Sequence, residues 1–451
     1  MKIIIVGGGI VGSTLTKYLS DEGHSITVID NNQELIQDYV NRYDISGVCG
    51  NGVINTIQKE AGVESCDMFI SVTPRDEENI LCCLVAKMLG AKNTIARVRD
   101  PEYAEQSKFM REFLGISMMV NPEQEAADAI SRLLRFSTAI KVECFARGKV
   151  DLVAFEVEQG SVLNNLAIKK LHNLYDKSLL ICAVERNDEV IIPGGDTVIQ
   201  AGDIISVIST PQHIAGFFKA IKVDSREAKR VLIIGGDRTV YYVAKRLAEV
   251  GINTKVIEKD IGRCRDLAEM LDGVTVVHGD GSDQRVLSDE GIDTVDAVIA
   301  LADSDEQNIV TALYCRKRKV SQIITQIDND AYKELIDDLN LDAVVSPKEV
   351  TASRIIRYAR ALYEPKGTSV INMFRIAGDK AEALEFNVGD SAELVGKKVK
   401  DIKFISDLLL GCIIRGNEII IAGGDTVIEA DDKIIVIVSG HHPAVVEDIL
   451  K

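Results

Sequence analysis

Residues 2–30 read KIIIVGGGIVGSTLTKYLSDEGHSITVID, and their order decides the fold. Lys2 to Val6 is a strand-like apolar run. Three glycines follow, then an amphipathic stretch (Val11, Leu15, Tyr18, Leu19) at helical spacing that stops at Gly23. SITVID, 25–30, reads as a second strand. Strand, glycine turn, helix and strand together open a βαβ unit. Gly7, Gly9 and Gly12 occupy the G-x-G-x-x-G positions. In that motif the first glycine turns the chain, the second lets backbone approach a pyrophosphate, and the third lets helix and strand pack closely. With Gly8, Ile10 and Val11 between them they form a candidate phosphate loop, where phosphates meet free N–H groups at a helix N-terminus. Asp30 closes the second strand. A carboxylate there accepts hydrogen bonds from ribose hydroxyls and repels a 2′-phosphate, which favours NAD(H) or an adenosine phosphate such as ATP or ADP over NADP(H). The alternative is a Rossmann-like fold that keeps its glycines only for packing.

Further along, SGVCG (46–50), MFISVT (68–73) and TIARV (94–98) read as strands three to five. EQEAADAISRLLRF (123–136) has Ala and Leu at helical spacing and reads as a closing helix. Strands alternating with helices predict a doubly wound parallel sheet, which binds ligands at the carboxyl ends of its strands. Three segments lie there: Asn51 and Gly52, Thr73 and Pro74, and the arginines Arg97 and Arg99. Two guanidiniums on one face suit a di- or triphosphate. They could equally pair with Asp76, Glu77, Glu78 or Asp100 on a solvated surface.

The chain then repeats itself. RVLIIGGDRTVYYVAKRLAEVGINTKVIEKD from position 230 matches the stretch from position 2, and HGDG at 278–281 matches CGNG at 49–52. ALADSDEQN at 300–308 matches SVTPRDEEN at 71–79. Between and after these lie RNDEVIIPGGDTVIQAGD (186–203) and RGNEIIIAGGDTVIEADD (415–432). One nearly constant offset means a tandem duplication of the form A–B–A′–B′. We expect a Rossmann-like A at 1–138, a smaller B at 139–224, a second Rossmann-like A′ at 225–365 and B′ at 366–451, with the charged run 222–230 as a linker. The B units have short alternating strands (LVAFEVEQG, SLLICAVER, EVIIPG, DIISVIS) and tight GG and GD turns. They read as small β-rich modules with one or two helices. A′ departs from A where phosphates would sit. Asp237 stands at the second glycine and Val240 at the third, and Gln326 and Asp328 replace the arginines, while Gly235, Gly236 and the acidic Glu258 remain. A′ therefore reads as a weakened, altered or lost site.

Composition narrows the classes. The 451 residues carry 52 Lys and Arg against 69 Asp and Glu, a net charge of −17. An acidic surface repels phosphate backbones, so no nucleic-acid role is expected. No apolar run is long enough for a membrane span, and the opening MKIIIVGGG reads as strand and turn, not a leader. The nine cysteines show no CxxC spacing and read as buried reduced thiols. None of the six histidines lies in a catalytic or metal-binding motif, so no catalytic and no metal residues are expected.

GGGIVG with Asp30, CGNG, TPRDEEN and IARVRDPEY resemble the RCK (or KTN) domain of potassium-transport regulators, and the GGDTVI modules resemble its C-terminal subdomain. Two copies in one chain resemble the tandem RCK subunits of bacterial and archaeal Trk potassium uptake systems, over essentially all 451 residues. The resemblance implies a non-catalytic, cytoplasmic regulatory subunit, peripheral on the inner face of the membrane. It implies NAD(H) or ATP/ADP as regulatory ligand at Gly7 to Val11, Asp30, Thr73 and Arg97, with Asn51, Gly52 and Arg99 beside them. Its partners would be a TrkH- or TrkG-like integral-membrane potassium transporter subunit and further copies of itself, in a homotetrameric ring of eight RCK units whose shape gates potassium flux. A nucleotide sensor for another channel or antiporter, and an NAD-dependent oxidoreductase, are the competing readings.

Overall fold

The computed structural model describes residues 1–451 except 176–178, 188, 224–226, 333–334, 337–338, 340, 342, 364–369, 379 and 390–392, and except the side chains of 105, 107, 330 and 363. Part of the expected linker, 224–226, and the expected boundaries near 224 and 365 lie outside the described residues. Met1–Ala127 with Ser346–Ala359 form one compact unit; Asp128–Val345 with Arg360–Lys451 form another.

In the first unit β1 (Lys2–Val6), α1 (Ile10–Asp21), β2 (Ser25–Asp30), α2 (Gln33–Arg42), β3 (Ser46–Cys49) and α3 (Asn55–Glu60) follow in order. Then come β4 (Met68–Ser71), α4 (Asp76–Met88), β5 (Asn93–Arg97), α5 (Pro101–Glu105), α6 (Ser107–Leu114), β6 (Met118–Val120) and α7 (Pro122–Leu133). The strands form one parallel sheet ordered β3-β2-β1-β4-β5-β6, the doubly wound order expected. Ile3, Ile4, Ile5 and Val6 are all buried because helices cover both faces, which is why β1 reads as a continuous apolar run. The sixth strand, three residues long, is too short to show a period and was not expected. The helix expected over 123–136 stops at Leu133; Arg135 and Phe136 continue in a tighter turn, donating to the carbonyls of Arg132 (3.2 Å) and Leu133 (3.0 Å).

The second unit opens with an antiparallel module: β7 (Lys141–Phe145), β8 (Val150–Glu156), β9 (Leu180–Arg186), β10 (Glu189–Ile191), β11 (Ile204–Ser209) and the helix α8 (Pro211–Ala220). Next come β12 (Arg230–Ile234), α9 (Arg238–Glu249), β13 (Asn253–Glu258), α10 (Ile261–Met270), β14 (Val274–His278), α11 (Gln284–Asp289), β15 (Ala297–Ala300), α12 (Asp305–Lys317), β16 (Gln322–Gln326) and β17 (Ala343–Val345); the helix α13 (Pro347–Tyr363) follows in the chain, its residues up to Ala359 belonging to the first unit. This second parallel sheet, β14-β13-β12-β15-β16-β17, repeats the order of the first. A closing module holds β18 (Val370–Ile376), β19 (Ala381–Asn387), β20 (Leu408–Arg415), β21 (Glu418–Ile421) and β22 (Lys433–Ser439). The two antiparallel sheets, β10-β9-β11-β8-β7 and β18-β19-β22-β20-β21, share one topology. Each has one strand more than the sequence reading, β7 and β18. In the closing module the place of α8 is taken by a single tight turn, Val446–Ile449.

The two modules bury their faces together. One apolar cluster takes Phe145, Leu152 and Cys182 from the first and Ala383, Cys412 and Ile437 from the second. Phe145 meets Phe374 edge to face, ring centroids 4.9 Å apart. The shared GGDTVI stretches are braced from their flanks, Arg186 and Arg415 each donating to a carbonyl within them, of Val198 and Val427, at 2.8 Å. Arg186 holds Asp203 through two bonds of 2.7 Å, and Arg415 holds Asp432 at 2.9 and 2.8 Å. Each carboxylate also takes a backbone N–H, from Gln200 or Glu429. All cysteines except exposed Cys49 and half-buried Cys144 are buried. Cys49 thus departs from the expectation of buried thiols, because it ends an edge strand.

A buried ion pair joins Arg360, at the start of the last stretch of the second unit, to the closing module. Arg360 donates to both oxygens of Glu382 at 2.8 and 3.0 Å, and His442 lies 3.0 Å from the same carboxylate. Burial pushes the Glu382 carboxyl up, but its hydrogen bonds to His442 and Arg360 and their charges outweigh burial and hold it at about 2. A carboxyl depressed on folding stabilises above its unfolded value of about 4.3 and loses that contribution as pH falls toward 2. Glu382→Gln should therefore lower stability near neutrality by about 3 kcal/mol, because Arg360 is left buried without its carboxylate. It should also flatten the loss of stability between pH 4.5 and 2; urea titrations across that range check both.

Candidate functional site

The glycine loop of the first repeat is built by contact at a distance no side chain would permit. A Cβ on Gly12 would lie 1.9 Å from the Gly7 carbonyl oxygen. Gly7 itself turns the chain at φ +97°. Gly9 stands at the N-cap of α1 and offers no side chain to cap it. A Cβ there would meet nothing within 4 Å. Among the described residues the N-cap of α1 thus has no side-chain capping bond, at the positive end of a helix.

In front of that helix end lies a cavity of about 450 Å³. Gly7, Gly9, Ile10, Val11, Asp30, Asn51, Gly52, Thr73 and Arg97 line it, all of them candidates from the sequence. Gly8, Gly12 and Arg99 do not. Gly12 serves packing. Gly8 is turned away, its N–H donating to Asp30 Oδ2 at 2.8 Å. Arg99 reaches Glu123 of α7 (3.5 Å) and the Pro74 carbonyl (3.2 Å), so the two arginines do not converge. Asp30 Oδ1 accepts from Asn32 N–H at 2.8 Å, leaving the remaining lone pairs of both oxygens for a ligand. The cavity also has Asn31, Asn32, Leu35 and Glu78 on its wall, which the sequence reading did not single out. Asn32 and Leu35 follow from the turn into α2, where Asn32 caps the helix.

Arg97 is the cation of the site. One terminal nitrogen, Nη2, donates to the Thr73 carbonyl at 2.6 Å, while its buried Nε has no partner among the described residues. Burial and the nearby Arg99 charge push it down to about 10, so it remains charged at neutral pH. The loop facing it is held by Asn79, whose side chain accepts from Thr73 N–H and Ser71 Oγ and donates to the carbonyls of Thr73 and Arg97. Asp76 accepts from the backbone N–H of Arg99 and Asp100. Asn308 and Asp305 make the same bonds in the second repeat, to Ala302, Gln326, Asp328 and Asn329. The shared D-E-x-N stretch is a loop brace in both copies.

The second repeat fills the corresponding space with its own carboxylates. Asp237, at the N-cap of α9, accepts from Val240 N–H at 3.2 Å, so the helix end is capped from within. Burial raises the Asp237 carboxyl above its ordinary value. Glu258 accepts from Asp260 N–H at 2.6 Å, and its Oε2 lies 2.5 Å from where a Cβ on Gly236 would sit. Gln326 and Asp328 bond each other at 3.0 Å. A cavity of about 10 Å³ lies beside Gly235, Gly236 and Glu258. The helix end that is open in the first repeat is thus capped by a side chain in the second.

The TrkA-N domain model matches residues 3–122 and 231–347, and the TrkA-C domain model matches 152–222 and 383–451. The Trk system potassium uptake protein TrkA of Vibrio alginolyticus is 32% identical over 442 residues, covering 96% of this chain and 95% of that protein. The protein of the same name from Halomonas elongata is 34% identical over 445 residues, covering 97% and 96%. Two solved structures share the fold. The GsuK channel bound to NAD has a TM-score of 0.62 at 18% identity, covering 97% of this chain and 77% of that one. The GsuK RCK domain has a TM-score of 0.63 at 17% identity, covering 97% and 92%. Matched in both repeats and along nearly its whole length, the chain belongs to the TrkA family of Trk-system potassium uptake proteins.

Proposed function

We propose that this chain is the regulatory subunit of a Trk-type potassium uptake system and binds one adenine nucleotide, NAD(H) or ATP/ADP, in its first repeat. The observation that carries the reading is the difference between the two helix ends. The N-terminus of α1 is uncapped and opens on about 450 Å³ beside a half-buried arginine, whereas that of α9 is occupied by Asp237. An uncapped helix end and a guanidinium are matched to a pyrophosphate, and Asp30 to a ribose. The relatives named for potassium uptake and the NAD-bound channel of like fold support the same direction. In this reading A (1–138), B, A′ and B′ are four functional pieces of one RCK pair. Nucleotide exchange reshapes a ring of chains and thereby gates flux through a TrkH- or TrkG-like membrane subunit. The chain performs no turnover. A ligand shifts such an assembly only by its difference in affinity between two states. Arg97 is the residue placed to sense how far the phosphate chain extends.

Calorimetric titration of the purified chain with NAD⁺, NADH, ATP, ADP and cyclic di-AMP should give one adenine-nucleotide site per chain. Two sites of similar affinity would overturn the assignment of the second repeat as closed, and no binding by any of them would overturn the reading as a whole. Arg97→Ala should weaken ATP binding by about 10- to 100-fold, the size of a lost charge-assisted hydrogen bond. If that variant discriminates ATP from ADP and NADH as the parent does, Arg97 is not the sensor.

A further inference from the structure

The Gly8 residue of the phosphate loop is held at both ends of its backbone. Its N–H donates to Asp30 Oδ2 at 2.8 Å, and its carbonyl accepts from the Tyr39 hydroxyl at 2.6 Å. Tyr39 lies on α2 and is 6% exposed. It does not line the cavity, so it touches no ligand there. Its hydroxyl also lies within hydrogen-bonding reach of the Ser13 side chain on α1, but its link to the phosphate loop passes through one peptide group. A trans peptide is planar, and its C=O and N–H point in opposite directions. The carbonyl of Gly8 and the N–H of Gly9 belong to the same plane. With the carbonyl fixed toward Tyr39 on α2, the Gly9 N–H is fixed away from α2, and Gly9 is a wall residue of the cavity at the uncapped end of α1.

The second repeat supplies an internal contrast. Tyr39 is the seventh residue of α2; the seventh residue of α10 is Leu267, which has no hydroxyl. The residue matching Gly9 is Asp237, which caps its own helix. The copy without a phosphate cavity lacks the hydroxyl that would orient the peptide.

We infer that Tyr39 is a positioning residue for pyrophosphate recognition: its hydroxyl orients the Gly8–Gly9 peptide so that the Gly9 N–H is presented to the phosphates. The inference rests on the nucleotide reading above. Burial raises the phenol of Tyr39 above its ordinary value, so it remains a donor throughout the physiological range.

The test compares ligands with and without phosphates. ADP and adenosine are titrated into the parent chain, Tyr39→Phe and Tyr39→Leu, with thermal midpoints read alongside. The leucine variant copies the residue with which the second repeat adopts the same fold. We expect ADP to bind about 10-fold more weakly to both variants, the size of a hydrogen bond to a charged group, with adenosine changed less than about twofold. Equal weakening of ADP and adenosine would make Tyr39 a core residue and overturn the inference, as would unchanged ADP binding. A parent chain that binds none of NAD⁺, NADH, ATP and ADP fails the nucleotide reading itself, an outcome visible before any variant is compared; if it binds a dinucleotide or ATP but not ADP, that ligand takes the place of ADP in the comparison.

Discussion

The first repeat depends on the absence of one carbon atom. Without a Cβ at Gly12, α1 can sit against the turn at Gly7 with only 1.9 Å between that missing position and the Gly7 oxygen. That approach brings the start of α1 up to the end of β1 and leaves its N–H groups facing open space. The parallel sheet, with its buried Ile3 to Val6, supplies the rigid floor. In the second repeat Val240 stands at this position and is fully buried, and the loop before it ends in an aspartate that satisfies its own helix. Two copies of one fold thus differ in whether a helix end is left for something else to complete.

Much of this was legible in the residues. Period and punctuation gave five strands of each parallel sheet, and the glycine spacing located the cavity. Asp30, Asn51, Thr73 and Arg97 come together because they end neighbouring parallel strands, a placement that topology alone dictates. What was not legible depends on partners far along the chain. Arg99 has the same local context as Arg97 but meets Glu123 of α7, 24 residues on. Asn79 reads as one more polar residue on a helix, yet its side chain makes bonds to two strands. Tyr39 reads as a helix-face aromatic, and nothing local announces that its hydroxyl reaches Gly8. The apolar seam between the two β modules is invisible for the same reason: alternation shows that a strand has a buried face, not what buries it.

Repetition also misleads in a specific way. The stretches most alike between the halves, D-E-x-N and GGDTVI, belong to braced loops: the first through Asn79 or Asn308, the second through Arg186 or Arg415, which donates to the Val198 or Val427 carbonyl. The stretches that differ, at Gly9 against Asp237 and Tyr39 against Leu267, are where a ligand would be handled. Within a duplicated chain the shared residues mark the scaffold, and the divergent ones mark the division of labour.

Because the open and the closed copies are joined covalently, their ratio is fixed at synthesis. An assembly of such chains cannot drift toward more or fewer receptive halves, whatever the expression level. With one nucleotide site per chain, as proposed, the steepness of a response is bounded too: its Hill coefficient cannot exceed the number of chains, although the number of Rossmann-like domains is twice that. On the proposed reading the carboxylate of Asp237 sets that ceiling, because it completes one of the two helix ends of each chain from within.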